Sequence, residues 1–218
     1  HAADREQNGY FEVFSREWVR IRERLIGEES DLTEKTMNTS LHVMEAYANL
    51  YRVSGDREAG ERLENMIGIF LDKIIDKNTS HLIPFLDRSW TSTARIDSYG
   101  HDIESSWLLL EAAGLLKNKE LKEKVTRASI AIANAAAEGL RDDGSMVTEL
   151  NHTTAHVSPR RSWWEQAESV VGYLNAFELT GDESYLEKSL RSWEYIKANF
   201  IDHTNGGWYS YVSESGAS

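Results

Sequence analysis

An internal repeat about 63 residues long constrains this chain more than any other feature. Leu63, Met66, Ile67, Phe70 and Ile74 fall at the i, i+3, i+4, i+7, i+11 spacing of an amphipathic helix. Leu186, Leu190, Trp193, Lys197 and Phe200 keep much the same spacing, the lysine being able to bury its stem. Gly55-Asp56 and Gly181-Asp182 each read as a glycine that ends one helix and an aspartate that caps the next. Ile75-Asp76, Arg141-Asp142 and Ile201-Asp202 close the second helix of each pair, and the only prolines are Pro84 and Pro159. The pattern predicts three helical hairpins: about 33–54 with 56–76, 100–116 with 118–138, and 161–180 with 182–200. Extended stretches follow at 80–87, 144–150 and 206–212, while segment 9–24 mixes its aromatic periods and receives no assignment.

Helical hairpins at this period stack into an open solenoid or curve into a closed α/α barrel, because the common helical solenoids repeat at roughly 33–47 residues. In a closed double ring, the first helix of each pair lines the inside and the second covers it. Six pairs would need roughly 380 residues. The expectation is therefore an all-α chain of the (α/α)6-barrel type, a single partial domain over 1–218 holding about three of the six hairpins. Half a ring would expose the inner faces of its end helices.

Charge narrows the partners. Asp and Glu number 36 against 24 Lys and Arg, a net charge of −12, which repels nucleic acid and anionic membrane and favours a neutral or cationic small molecule. No apolar run reaches the ~18 residues of a membrane span. Without cysteine there is no disulfide, zinc–thiolate site or thiol nucleophile. The opening His1-Ala2-Ala3 lacks a signal-peptide pattern, giving a cytoplasmic expectation. Oligomeric state is not legible.

The repeat also aligns chemistry. Asn38, His101 and Trp164 are spaced 63 residues apart, and His42, Glu104 and Glu168 stand one helical turn beyond them on the same face. Arranged around an axis, these six converge near one end of it. His101 opens a helix, where the dipole favours neutral imidazole, although Asp102 or Glu104 would push the other way. His101 with Glu104 at i, i+3 also has the spacing of a helical metal site, but the larger carboxylate set of such sites is missing, so no metal is expected. Trp163 and Trp164 cannot face the same way: one reads as core, the other as an apolar platform for a sugar ring. Trp107, one turn beyond Glu104, reads as core or site wall. Glu45 and Glu168 read as solvated or salt-bridged, Arg160-Arg161 as a weak anion-binding step, and His152 and His156 as surface loop residues.

The segments Asn38–Tyr47 (NTSLHVMEAY), Tyr99–Leu109 (YGHDIESSWLL) and Trp163–Glu168 (WWEQAE) resemble those of the N-acylglucosamine 2-epimerase family, most closely its cellobiose 2-epimerase branch. Order and spacing match along nearly the whole chain. The resemblance implies an (α/α)6 barrel and an isomerase that opens the reducing-end sugar, removes the C2 proton through a cis-enediolate and returns a proton to the opposite face. Glucose and mannose configurations are thereby interchanged with no metal or other cofactor. By the same resemblance, His101 is a catalytic acid/base and His42 the second site histidine. Asn38 and Glu104 hold the sugar and tune the histidines, and Trp164 or Trp163 stacks on it. The family's further catalytic histidine on a C-terminal helix and its N-terminal arginine have no counterpart here. The chain is thus expected to correspond to a middle-to-later part of an epimerase and to be inactive alone. Rival readings are a non-catalytic carbohydrate-binding half-barrel, a glycoside-processing enzyme using Glu104 and Glu168, or an epimerase-isomerase of N-acylglucosamine or of free glucose or mannose.

Overall fold

The computed structural model describes residues 2–21 and 33–213. Among them, three helical hairpins follow one another: α1 (Met37–Ser54) with α2 (Arg57–Ile69), α3 (Tyr99–Leu115) with α4 (Lys119–Ala136), and α5 (Trp163–Thr180) with α6 (Glu183–Asn199). The glycine–aspartate punctuation works as the sequence suggests. Gly55 and Gly181 adopt left-handed φ of 63° and 72°, and Asp56 and Asp182 accept from the backbone N–H of Ala59 and Ser184. α2 is shorter than expected, since Phe70–Ile74 widens into a π-turn that keeps Phe70 and Ile74 buried.

Two helices start later than the pattern suggested, because short strands precede them. β1 (Lys35–Thr36) leads into α1, where Thr36 is extended and its side chain accepts from Thr39 N–H. A strand over Arg160–Ser162 likewise leads into α5. The stripe proposed for α6 is corrected. Tyr185, Ser189, Ser192, Ile196 and Phe200 are buried, whereas Leu190 is 53% and Trp193 38% exposed. Two small serines let α6 pack closely: Ser189 Oγ donates to Val170 O and Ser192 Oγ to Gly144 O.

The hairpins form two layers. α1, α3 and α5 lie side by side, and α2, α4 and α6 each cover the inner helix of their own pair. Leu41, Met44, Leu63, Met66, Ile67, Phe70, Leu109 and Ile132 fill one core. Tyr99, Ile103, Tyr173, Ala176 and Tyr185 fill a second. Gly172 lets α5 approach α3, since a Cβ there would stand 2.5 Å from Ile103 Cγ1. Leu50 and Val53 of α1, and Val171 and Leu174 of α5, remain exposed.

Each outer helix is followed by an arm that folds back to the start of its own repeat. β2 (Phe85–Leu86) pairs antiparallel with β1. β3 (Ile96–Ser98) pairs with β4 (Glu149–Asn151), which also pairs with β5 (His156–Val157). β6 (Arg160–Ser162) pairs with β7 (Tyr211–Ser213). These arms hold the extended stretches expected at 80–87, 144–150 and 206–212. They bring the entrances of all three inner helices to one end of the molecule.

Residues 2–21, which periodicity left unassigned, have the form of another arm. The bridge Ala3↔Tyr10 matches Ile75↔Leu82, Leu140↔Met146 and Ile201↔Trp208. The turn Ser15–Val19 repeats Asp87–Thr91 bond for bond, with Trp18 and Trp90 both at positive φ. A wholly buried lysine fastens this arm. Lys35 Nζ donates to Asn8 O (2.7 Å) and Arg88 O (2.9 Å), lies 3.2 Å from Asp4 Oδ2 and sits 4.3 Å from the centre of the Trp90 ring. Burial draws its pKa down, against the pull of the Asp4 carboxylate.

Candidate active site

The three inner-helix entrances carry the polar groups that the repeat placed in register. At the start of α3, His101 stacks obliquely on Trp164 at the start of α5, with ring centroids 4.8 Å apart. Gly100 makes this contact possible: a Cβ there would stand 2.6 Å from Glu165 Cγ and 2.9 Å from Trp164 Cη2. One turn deeper, Trp107 Nε1 donates to Glu168 Oε2 at 2.7 Å. On α1, His42 Nδ1 lies 3.1 Å from Glu45 Oε2. Asn38, one turn before His42, is exposed.

Electrostatics ties these groups together. Burial, helped by the charge of His42, pushes His101 down to about 4, so its imidazole is neutral at pH 7. Burial, helped by Glu168, pushes Glu104 up to about 7, and burial also raises Glu168. His42 and Glu45 act on both carboxyls. These groups therefore include a neutral imidazole packed on indole and a carboxyl poised to carry a proton.

Several expectations need correction. Glu168 is not a free surface carboxylate but half-buried, accepting from the Trp107 indole. Asp102 does not face His101. It is fully buried on the other side of α3, where Oδ2 is 2.6 Å from His81 Nδ1 and Oδ1 accepts from Leu82 N–H at 2.8 Å. The two tryptophans do face different ways, but neither is core: Trp164 is half-buried against His101, while Trp163 is 47% exposed and meets Trp208 edge-on at 6.5 Å. Arg161 is occupied structurally, with Nε donating to Ser145 Oγ and Nη1 to Ser158 O. Arg160 covers the Tyr211 ring at 4.9 Å. His152 and His156 are both exposed, as the sequence suggests, and His152 Nε2 lies 2.6 Å from Asp97 Oδ2.

Sequence reasoning missed two residues. Ser98, the residue before α3, has its Oγ 2.7 Å from His101 Nδ1. His81 lies at the edge of a cavity of about 590 Å³ that Asp97, Glu138, Arg95 and His152 also line. Burial opposes charge on His81, but the hydrogen bond and charge of Asp102, with Asp97 and Glu138, raise it to about 9. His81 carries no periodic signal and Ser98 only that of a helix entrance, so each is recognisable by its partner alone. Among the described residues, no group of three or more His, Cys, Asp or Glu side chains is arranged to hold a metal ion. No helix among them is long and apolar enough to cross a membrane.

A family model described as N-acylglucosamine 2-epimerase (GlcNAc 2-epimerase) matches residues 2–218. A cellobiose 2-epimerase of Bacteroides fragilis is 45% identical over 217 residues, covering 100% of this chain and 55% of the relative. One from Ruminococcus albus is 35% identical over 209 residues, covering 95% and 53%. The solved cellobiose 2-epimerase of Bacillus thermoamylovorans B4167 superposes with a TM-score of 0.93 at 38% identity, over 99% of this chain and 55% of that one. A D-mannose isomerase structure shares the fold, with a TM-score of 0.77 at 20% identity over 95% and 52% of the two chains. The chain thus spans about half the length of these relatives, and its three hairpins correspond to about half of their (α/α)6 barrel.

Proposed function

The chain belongs to the N-acylglucosamine 2-epimerase family, and from that premise we propose that it carries the C2 proton-transfer site of a sugar 2-epimerase acting on cellobiose. One observation carries the reading: a neutral imidazole, His101, lies against Trp164 at the shared entrance of α3 and α5, in the same site as a carboxyl that holds its proton near neutrality. The C–H beside a carbonyl is a weak acid, so its removal needs a positioned neutral base and donors for the developing oxyanion. His101 is assigned the base. The C2–H electrons become the C1=C2 bond of the enediolate, O1 takes the charge, and the proton goes to the imidazole. Protonated Glu104 is assigned the hydrogen bond to that oxygen.

Epimerisation also requires a proton delivered to the opposite face of C2. His42, across the site on α1, is the candidate among the described residues, with Glu45 orienting it. Asn38 supplies polar contacts to the sugar, Trp164 packs on the C–H face of the reacting ring, and Trp107 with Glu168 walls the site. Exposed Trp163 extends the apolar surface toward the outer sugar. The three hairpins act as one partial-barrel domain on a small carbohydrate, with no cofactor in the chemistry.

Solvent deuterium exchange at C2 of cellobiose tests this reading, because it reports one-face proton transfer even without net epimerisation. The folded chain in D₂O is expected to exchange C2–H, and His101→Ala to lose about 100-fold or more of the rate. Exchange that survives in His101→Ala, or a folded chain that binds cellobiose without exchange, would overturn it. The second outcome would favour a carbohydrate-binding module. Glucose, mannose and N-acetylglucosamine in the same assay decide among the substrates.

A further inference from the structure

Resting on the reading of His101 as the C2 acid/base, we propose that Ser98 is its positioning residue: the hydroxyl fixes the imidazole with the proton on Nδ1, so that Nε2 presents its lone pair to the sugar. The local geometry departs from helix-capping habit. A serine or threonine at a helix entrance ordinarily gives its oxygen to a backbone N–H of the first turn. Thr36 does this at α1, accepting from Thr39 N–H at 3.1 Å. Ser98 occupies the same position at α3 but makes no side-chain cap. Its Oγ lies instead 2.7 Å from Nδ1 of His101. Both ends of this bond are held. Ser98 is 8% exposed and registered opposite Glu149 in the β3–β4 ladder, and the His101 ring packs on Trp164. Among the described residues no other protein group hydrogen-bonds to the ring.

A hydroxyl suits a base that must also give its proton back. It is uncharged and accepts the same Nδ1–H bond from the neutral ring and from the imidazolium, without strongly favouring either. When the C2–H bond breaks and the proton reaches Nε2, the Nδ1–H···Oγ bond stays as it was. Nothing reorganises, and the imidazolium finds no carboxylate at Nδ1 that would retain the proton. The molecule contains the opposite arrangement at the very next residue, Asp102, whose carboxylate holds His81 Nδ1 at 2.6 Å.

The test is ring ¹⁵N–¹H correlation NMR on the histidine-labelled 218-residue chain near pH 7. His101 is expected as one neutral tautomer, protonated at Nδ1. Ser98→Ala should show an averaged mixture of tautomers on an otherwise unchanged backbone spectrum, and Ser98→Thr should restore the single form. Ser98→Asp should raise the His101 titration midpoint by more than about one pH unit, as expected for a carboxylate neighbour. In the cellobiose exchange assay, Ser98→Ala should lower kcat about 10-fold with KM within about twofold. A wild-type ring protonated at Nε2, or a tautomer unchanged in Ser98→Ala, would overturn the proposal. Where Ser98→Ala fails to fold, an unmoved midpoint in Ser98→Asp overturns it equally. The tautomer is read without turnover, so a Ser98-dependent ring in a chain that never exchanges C2–H would sink the epimerase reading and leave this one standing.

Discussion

His81 and His101 lie on opposite sides of one strand-to-helix junction, β3 into α3, yet they end in opposite charge states. Both are largely enclosed, so burial disfavours the charged form of each. The difference lies in the partner. Asp102 answers His81 with a buried carboxylate, and the imidazole rises to about 9. Ser98 answers His101 with a hydroxyl, nothing offsets burial, and the ring falls to about 4. Adjacent residues thus end differently: Asp102 fixes the arm that follows α2 by holding both His81 and the Leu82 N–H, while His101 is left neutral. Helix geometry allows the separation, because neighbours one residue apart point about 100° away from each other.

The contrast can be broken most severely on the His81 side. Asp102→Ala leaves a buried imidazolium without its carboxylate and should cost about 3–5 kcal/mol of stability, read as a lower urea midpoint. Ordinary pH titration sharpens the same point. His81 is raised from its ordinary 6.5 to about 9, so its stabilisation is complete below pH 6.5 and disappears as pH rises through 9. The expected loss is on the order of 3 kcal/mol. Asp102, raised from 3.8 to about 6, completes its own titration lower in pH and does not mask this window. His81→Gln should flatten the stability profile between pH 6.5 and 9, and a slope that persists would assign it elsewhere.

On the proposed function, the His101 side is expected to respond in rate rather than stability. C2 exchange should fall below about pH 4, where His101 becomes protonated, and above about pH 7, where Glu104 loses its proton. Glu104→Gln should abolish the alkaline limb, at a reduced plateau, and leave the acid limb in place. The smallest effect belongs to Ser98→Ala. It removes one neutral hydrogen bond and should cost only about 0.5–1.5 kcal/mol in denaturant melts. A loss as large as that of Asp102→Ala would erase the distinction between the two sides.

The fold was legible where a residue's own chemistry determines its place. Gly55 and Gly181 need a left-handed backbone, Asp56 and Asp182 cap the next helix, and Leu63, Met66, Ile67, Phe70 and Ile74 are all buried. The phase of Asn38, His101 and Trp164 also brought the right helices together. Legibility failed where close packing used small polar residues: Ser189 and Ser192 define the buried face of α6, while hydrophobicity pointed to Leu190 and Trp193. It failed again where a partner is distant. Nothing near Asp102 announces His81, 21 residues earlier, and nothing near Glu168 announces Trp107, 61 residues earlier. Residues 2–21 stayed unread because an arm is held by turns and by Lys35, not by a period.

The return of each arm to the strand that opens its own repeat has a kinetic meaning. Thr36 meets Phe85, Ser98 meets Glu149, and Ser162 meets Tyr211, so each pairing of an arm with its opening strand closes a loop of about fifty residues. No strand pairing waits for the two ends of the described chain to find each other. Nucleation can begin in any one hairpin and spread to its neighbours, as in linear repeat proteins. Ring curvature is then a result of accretion, and a lesion in one repeat slows its own closure before it slows the rest.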